Sequence, residues 1–332
     1  MRIGFYTHHH GSGHLRRALT IAEELASRGH ATSIASSRAS AGVDVALPLD
    51  NEPGPGDTGF PDPDAHGAFH WAPAHNPGLS ARMARLAQWV TEFRPDVVHV
   101  DVSVEVAVFL RLLGVPVTVQ AMPGVRDDAP HQLAYRLAAG IIAAWPDWVP
   151  LNAGLAPHAD RVHRVGGISR FPSTGRETNA AFHEAGTRHI VVLRGAGGHA
   201  HGDQFWEETA AQVPDTAWRI LGGKDTVADP SPLLRAADLV ISAAGQNSVA
   251  DIAACGAPAI VTAEQRPFGE QEATAQVLRQ AGLTSSAPAT ETDWPEAIAH
   301  ALARPADQVS WEKWQTRGAA SRAADALERA GK

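Results

Sequence analysis

The sequence predicts an α/β chain of two Rossmann-like parallel-sheet domains facing across a cleft. Three observations carry that reading. Strand-like apolar runs alternate with segments of helical period in both halves, the alternation starts again at Arg188, and each half has a glycine-bearing loop directly after its first strand. A length of 332 residues also suits two domains of ordinary size better than one core.

Each element follows from its local pattern. "RIGFYT" is a short run of strand formers, and from Leu15 the period changes. Leu15, Leu19, Ala22, Leu25 and Ala26 fall on one helical face, with Arg16, Arg17, Glu23 and Glu24 largely off it. Gly29 is placed to cap that helix, and "ATSIAS" is the next strand, which gives a β-loop-α-β unit and a parallel sheet. Residues 48–78, dense in proline, glycine and aspartate, read as a long surface loop. A helix ("LSARMARLAQWVTEF"), a strand ("PDVVHVD"), a helix ("SVEVAVFLRLLG") and a strand ("PVTVQA") follow, and "HQLAYRLAAGIIAAW" reads as a further helix. "RVHRVGGISRFPSTG" reads as the linker between the halves. In the second half "RHIVVLRG", "AWRILGG", "DLVISAAG" and "PAIVTAE" are strands. "QFWEETAAQV", "QNSVADIAACG" and "GEQEATAQVLRQAG" are helices, and the closing "SWEKWQTRGAASRAADALERAG" is helical.

Composition narrows the function classes. A formal net charge of −8 gives no reason to expect nucleic-acid binding. A single cysteine, Cys255, excludes an internal disulfide, and its place at a helix end reads as a small buried thiol, not a nucleophile. No apolar run reaches the roughly 20 residues of a membrane span, and no secretory pattern opens the chain. The expected location is cytoplasmic, with a peripheral place at the inner membrane face open.

Ligands of open parallel sheets bind at the carboxyl ends of the strands, and three loops there carry suitable residues. In "HHHGSGHLRR", Gly11 and Gly13 allow a sharp turn and close approach of a ligand. His14 then falls at a helix N-terminus, a poor place for positive charge, and is the candidate general base. The consecutive His8, His9 and His10 alternate in direction, so substrate contact or loop packing fits them better than a shared metal ion. The second loop, Gly195 to His199 with Gly197 and Gly198, has the design of a phosphate cradle. His199 and His201 have the spacing of a metal pair but no evident third ligand. In the third, Gly245 ends a strand and Gln246, Asn247 and Ser248 begin a helix, so their N–H groups and the Ser248 hydroxyl suit an anion. Asp251, one turn on, suits a ribose, and Glu270 and Gln271 suit sugar hydroxyls. "DPD" at Asp62–Asp64 lies in the proline-rich loop and reads as solvated.

The stretch "ADLVISAAGQNSVADIAACGAPAIVTAEQRPFGEQEATA" resembles the donor-binding region of family 28 glycosyltransferases, the lipid-intermediate N-acetylglucosaminyltransferase type. "GSGH" resembles the glycine-rich loop of the same group, and "GSGHLRR" resembles that of the nucleotide-sugar hydrolase of pseudaminic acid synthesis. The resemblance implies the GT-B fold. It implies an acceptor domain over residues 1–164, a nucleotide-sugar donor domain over 165–308, and a C-terminal helix, 309–332, that packs back on the first domain. It places Gly245, Asn247 and Ser248 at the diphosphate, and Asp251 at the ribose where the family usually has glutamate. Glu270 and Gln271 would meet the donor sugar, and the loop Gly195–His199 would flank the phosphates. Residues Gln120 to Gly124, "QAMPG" with Met122 at its centre, correspond to an acceptor-side loop together with His10, Gly11, Ser12 and Gly13.

The activity implied is glycosyl transfer from a nucleotide-diphosphate donor, UDP-linked by family weight, to a hydroxyl acceptor that is lipid-linked or a small metabolite. No metal or other cofactor is expected, because a helix N-terminus takes the charge of the departing diphosphate. The helix around Asp251 lacks the second carboxylate of retaining enzymes, so inversion at the anomeric carbon is expected, with His14 as base. The same residues would also serve a nucleotide-sugar hydrolase using water, or a non-catalytic nucleotide-sugar-binding protein.

Overall fold

The structure is a computed structural model and describes residues 1–8, 13–50, 59–177, 187–195, 201–287, 290–304 and 309–332. The chain forms two compact units: Met1–Ala144 with Pro150–Val165 and Ala320–Lys332, and Trp145–Val149 with Gly166–Ala319.

Among the described residues the first unit has a seven-stranded parallel sheet. In chain order its strands are β1 (Arg2–Thr7), β2 (Ala31–Ser36), β3 (Val45–Ala46), β4 (Val97–Asp101), β5 (Val117–Ala121), β6 (Gly140–Ala143) and β7 (Val162–Arg164). Their spatial order is β3-β2-β1-β4-β5-β6-β7. The order reverses between β1 and β4, so a crevice opens at the carboxyl ends of those two strands. Helices α1 (Gly13–Ser27), α2 (Pro77–Phe93), α3 (Val104–Leu112) and α4 (Ala129–Leu137) make the crossovers. The central strands are buried along their length, as expected of a parallel sheet covered by helices. Gly4 in β1 is a close-approach position: a Cβ there would lie 2.7 Å from the ring of Trp89 in α2. That ring is 2 % exposed, and its Nε1 donates to Ser33 Oγ at 3.1 Å.

Two expectations fail here. The helix read over "HQLAYRLAAGIIAAW" ends at Leu137, and Gly140–Ala143 is a strand with Ile141 and Ile142 fully buried. The β-branched pair fills a sheet position between β5 and β7, and that tertiary place overrides the local helical period. The stretch read as a linker supplies β7, and the change of unit follows it at Gly166, whose φ of 82° is left-handed.

The second unit has, among the described residues, a four-stranded parallel sheet. Its strands are β8 (Arg188–Leu193), β9 (Thr216–Leu221), β10 (Leu239–Ala243) and β11 (Ala259–Thr262), in spatial order β11-β10-β8-β9. Its reversal point lies between β8 and β10. The helices are α5 (Asp203–Ala210), α6 (Ser231–Ala236), α7 (Gln246–Cys255), α8 (Glu270–Gln280) and α9 (Trp294–Ala303). Trp206 and Trp294 pack edge to face, ring centres 4.8 Å apart, within a core that includes Ile190, Val192, Ile241 and Ile298.

The C-terminal run is two pieces. Trp311–Trp314 is a single 3₁₀ turn whose buried Trp311 donates through Nε1 to the Ala257 carbonyl at 2.7 Å. Gln315 and Gly318, both with positive φ, end it, and helix α10 (Ala319–Ala330) follows. Within the first unit Arg28 binds Asp325 (2.6 Å), Glu328 (3.0 Å) and Ser321 (2.6 Å) of α10. No helix among the described residues is long and apolar enough to cross a membrane.

His99, in the middle of β4, is fully buried with Nδ1 2.9 Å from Thr118 Oγ1. Burial pushes its pKa down to about 4. The folded state therefore holds a neutral ring that the unfolded chain, with a value near 6.5, protonates first. The stability this gives is complete above about pH 6.5 and is lost as pH falls toward about 4, by up to roughly 3 kcal/mol. Urea unfolding at pH 7, 5.5 and 4.5 should show that slope, and His99→Gln should flatten it. An equal slope in the variant would assign the acid sensitivity to other groups.

Candidate active site

The reversal point of the first sheet brings Thr7 of β1 beside Asp101 of β4, in register. Helix α1 opens at Gly13, which puts His14 in its first turn. His14 Nδ1 lies 2.9 Å from Asp101 Oδ1. Arg17, one turn further on, clamps the same carboxylate: Nη2 donates to Oδ1 at 2.7 Å and Nε to Oδ2 at 2.9 Å. Asp101 is fully buried, Arg17 is 3 % exposed, and the His14 side chain is 20 % exposed.

Burial alone would raise the Asp101 pKa, but Arg17 and His14 outweigh it and hold the group well below the usual carboxylate range. An ionised carboxylate only accepts hydrogen bonds, so the 2.9 Å contact assigns a ring hydrogen of His14 to Nδ1, and in the neutral ring the lone pair then lies on Nε2. Arg17 Nη2 is further from Nδ1, at 3.4 Å, and does not reverse that assignment. Sequence reasoning missed both partners of His14. By period Arg17 falls largely off the apolar face of α1, yet it is buried because its charge is paired with Asp101. The available signal was an acid as the last residue of the apolar run "VVHVD".

Beside this group the first unit holds a cavity of about 300 Å³ lined by residues including Tyr6, His8, His70, Trp71, Arg82 and Glu105. The rings of His8 and His14 meet edge to face at 6.4 Å. The loop carrying His70 and Trp71 is pinned by Glu105, whose Oε1 accepts from both backbone N–H groups at 2.8 and 3.1 Å. A smaller recess of about 40 Å³ is lined by Gln120, Met122, Arg126 and Tyr135, with His70 and Val102 common to both spaces. Gln120 and Met122 are thus brought to the same strand ends as His14, and Arg17 Nη2 lies 3.9 Å from the Met122 sulfur. Tyr135 Oη is buried there with no hydrogen-bond partner among the described residues.

In the second unit Gly195 follows β8 and Gly245 follows β10, at the carboxyl ends of adjacent strands. A Cβ at either glycine would meet nothing within 4 Å among the described residues. Helix α7 starts directly after Gly245 with no side-chain cap, and Gln246, Asn247 and Ser248 form its half-buried first turn. Asp251 turns inward. It is 6 % exposed; Oδ1 accepts from Ser169 Oγ at 2.7 Å and Oδ2 from Arg170 Nε at 3.2 Å. Burial raises its pKa, with Ser169 and Arg170 opposing. Its carboxylate fastens the start of the unit to α7. Gln271 is also turned inward, its Oε1 accepting from the Glu264 N–H at 2.9 Å, while Glu270 opens α8. His201 stacks on Phe205 with ring centres 3.9 Å apart, a packing role unlike that of a metal pair. His9, His10, Gly11, Ser12, Gly197, Gly198 and His199 lie outside the described residues.

The buried pair sets a stability prediction. Asp101→Asn leaves the Arg17 guanidinium buried without a counter-charge and should cost about 3–5 kcal/mol in urea unfolding. Arg17→Met with Asp101→Leu removes both charges and should cost clearly less. Equal stability of Asp101→Asn and the native protein would mean that water, not the carboxylate, satisfies Arg17.

Comparison with known proteins agrees with this architecture. Residues 184–329 match the glycosyltransferase family 28 C-terminal domain. No curated protein sequence matches the chain. Among solved structures, the glycotransferase of kitacinnamycin is similar over 100 % of this chain and 99 % of its own, with TM-score 0.72 and 18 % identity. MurG of Acinetobacter baumannii is similar over 98 % and 99 %, with TM-score 0.64 and 14 % identity. The spinosyn rhamnosyltransferase SpnG complexed with thymidine diphosphate is similar over 99 % and 96 %, with TM-score 0.60 and 18 % identity. Residues 184–329 are therefore a glycosyltransferase family 28 C-terminal domain, and the chain that carries it has the GT-B fold.

Proposed function

We propose that the protein moves a sugar, with inversion and without a metal ion at the diphosphate, from a nucleoside-diphosphate donor to a hydroxyl acceptor. UDP is the proposed nucleotide. The observation that carries the reading is the His14–Asp101 contact of 2.9 Å, with Arg17 holding the same carboxylate ionised. It leaves Nε2 of His14 as the proton acceptor. As the acceptor oxygen bonds to the anomeric carbon, its proton passes to Nε2 and the bond from that carbon to the diphosphate oxygen breaks. The buried carboxylate stabilises the imidazolium so formed, and the nucleoside diphosphate leaves with the bonding pair.

The donor role of the second unit rests on its family match and on α7. That helix begins without a side-chain cap beside open space at Gly245, a setting in which backbone N–H groups and the helix dipole favour a diphosphate. Asn247 and Ser248 are its proposed polar contacts, with Gly195 flanking and Glu270 toward the sugar. Asp251 and Gln271 act in this reading mainly as positioning residues, through Ser169, Arg170 and Glu264. The neighbour SpnG was crystallised with thymidine diphosphate, which supports a nucleoside diphosphate as the ligand class. The cavity lined by Tyr6, Trp71 and Arg82 is the proposed acceptor site.

Steady-state kinetics and calorimetry test this together. His14→Ala should lower turnover by roughly 10²–10⁴ with nucleotide affinity little changed. Ser248→Ala should weaken UDP binding by about 1–3 kcal/mol. UDP should bind equally with EDTA or with magnesium present. Native turnover in His14→Ala would remove the proposed base, and UDP binding that needs magnesium would overturn the metal-free diphosphate site.

A further inference from the structure

Three ligating side chains of the first unit meet outside the His14 group. Asp128 caps α4, its Oδ1 accepting from the His131 N–H at 2.9 Å. The i, i+3 spacing lays the His131 ring over that cap, with Nδ1 2.8 and 2.9 Å from the two carboxylate oxygens. From the loop on the other side His70 brings Nε2 to 3.4 Å from Asp128 Oδ1, and the two imidazole centres are 4.5 Å apart. One ligand atom from each residue lies within 4.8 Å of the others. We propose that His70, Asp128 and His131 form a binding site for one divalent transition ion of the zinc class.

Helix capping accounts for Asp128 and for the backbone of His131. It gives no reason for a second imidazole to approach the same oxygen from a separate loop. A tetrahedral ion with bonds of about 2.1 Å sets its ligand atoms roughly 3.4 Å apart. The separations from Asp128 Oδ1, 2.8 Å to His131 and 3.4 Å to His70, are near that value before any ion contracts or spreads them. The site is also held from both sides. Glu105 pins the backbone at His70 and Trp71, and Pro130 stiffens the first turn of α4 between Asp128 and His131. Two imidazoles and one carboxylate suit zinc or cobalt, not the all-oxygen preference of magnesium or calcium. Three protein ligands leave a fourth position for water or a ligand atom. His70 lines both the cavity and the recess, so an ion on its Nε2 adjoins the space proposed for the acceptor.

One group opposes the ion. Arg126 Nη1 lies 3.2 Å from His131 Nε2. With the ion on Nδ1, Nε2 carries the ring proton and that contact is lost, while Arg126 keeps its Nε bond to the Pro123 carbonyl at 3.2 Å. The affinity is therefore set below that of closed structural zinc sites. None of the three residues belongs to the His14 group or to α7, so the ion takes no part in the departure of the diphosphate.

Cobalt titration of the full-length protein, stripped with a chelator and then freed of it, tests the site. One Co²⁺ per chain should bind with the visible bands of a four-coordinate ion, and zinc should bleach them by displacement. His70→Ala and His131→Ala should each weaken binding by more than the roughly 10–100-fold that follows loss of an outer partner of a metal site. His70 is partly exposed, so its variant keeps the fold, which circular dichroism checks. Absence of the bands, or native affinity in His70→Ala, would overturn the proposal; the second result would put the ion elsewhere, such as the run His8–His10.

Discussion

A carboxylate with no solvent exposure, Asp101, sits at the end of a central strand, and its compensation organises the first unit. An ionised group in that position is tolerable only with an opposite charge and full hydrogen bonding. Arg17 supplies the charge through two bonds to separate oxygens, and the His14 ring supplies a third contact. Those two residues are one helical turn apart on α1, so the direction of that helix is tied to the end of β4. The ring is then oriented by a group it did not have to carry into solvent. The cost of burying the pair is met in the same place where the proposed chemistry needs a fixed imidazole.

The two sheets use their reversal points in different ways. In the first, the strand ends between β1 and β4 present side chains: Asp101, His14, His8 and the cavity wall. In the second, the ends of β8 and β10 present backbone, with Gly195 and Gly245 leaving open space before an uncapped helix. Side chains suit proton transfer and discrimination of an acceptor. Backbone N–H groups at a helix start suit a diphosphate, whose charge is common to every nucleotide donor.

The parts of this arrangement that were legible in the sequence are those written in short windows. Strand β2 could be read to the residue and helix α7 to its first residue, because an apolar run and a Gly245 start signal are local. His14 could be singled out because glycines frame it. What escaped were facts of tertiary pairing. Ile141 and Ile142 look like a continuing helix until β5 and β7 are seen on either side of them. Val162–Arg164 looks like linker because an edge strand of three residues carries no period. Arg17 and Asp101 stand 84 residues apart, and neither reads as buried until both are. Asp251 reads from sequence as a ribose contact; its inward bonds to Ser169 and Arg170 depend on residues from a distant stretch.

Asp101 fixes a ring hydrogen of His14 on Nδ1, and in the proposed mechanism Nε2 is the base. Long-range proton–nitrogen NMR correlations of the nitrogen-labelled native protein at neutral pH read that tautomer directly. The expected result is the neutral form with hydrogen on Nδ1 and an unprotonated Nε2. A His14 ring with hydrogen on Nε2 and a bare Nδ1 would contradict it.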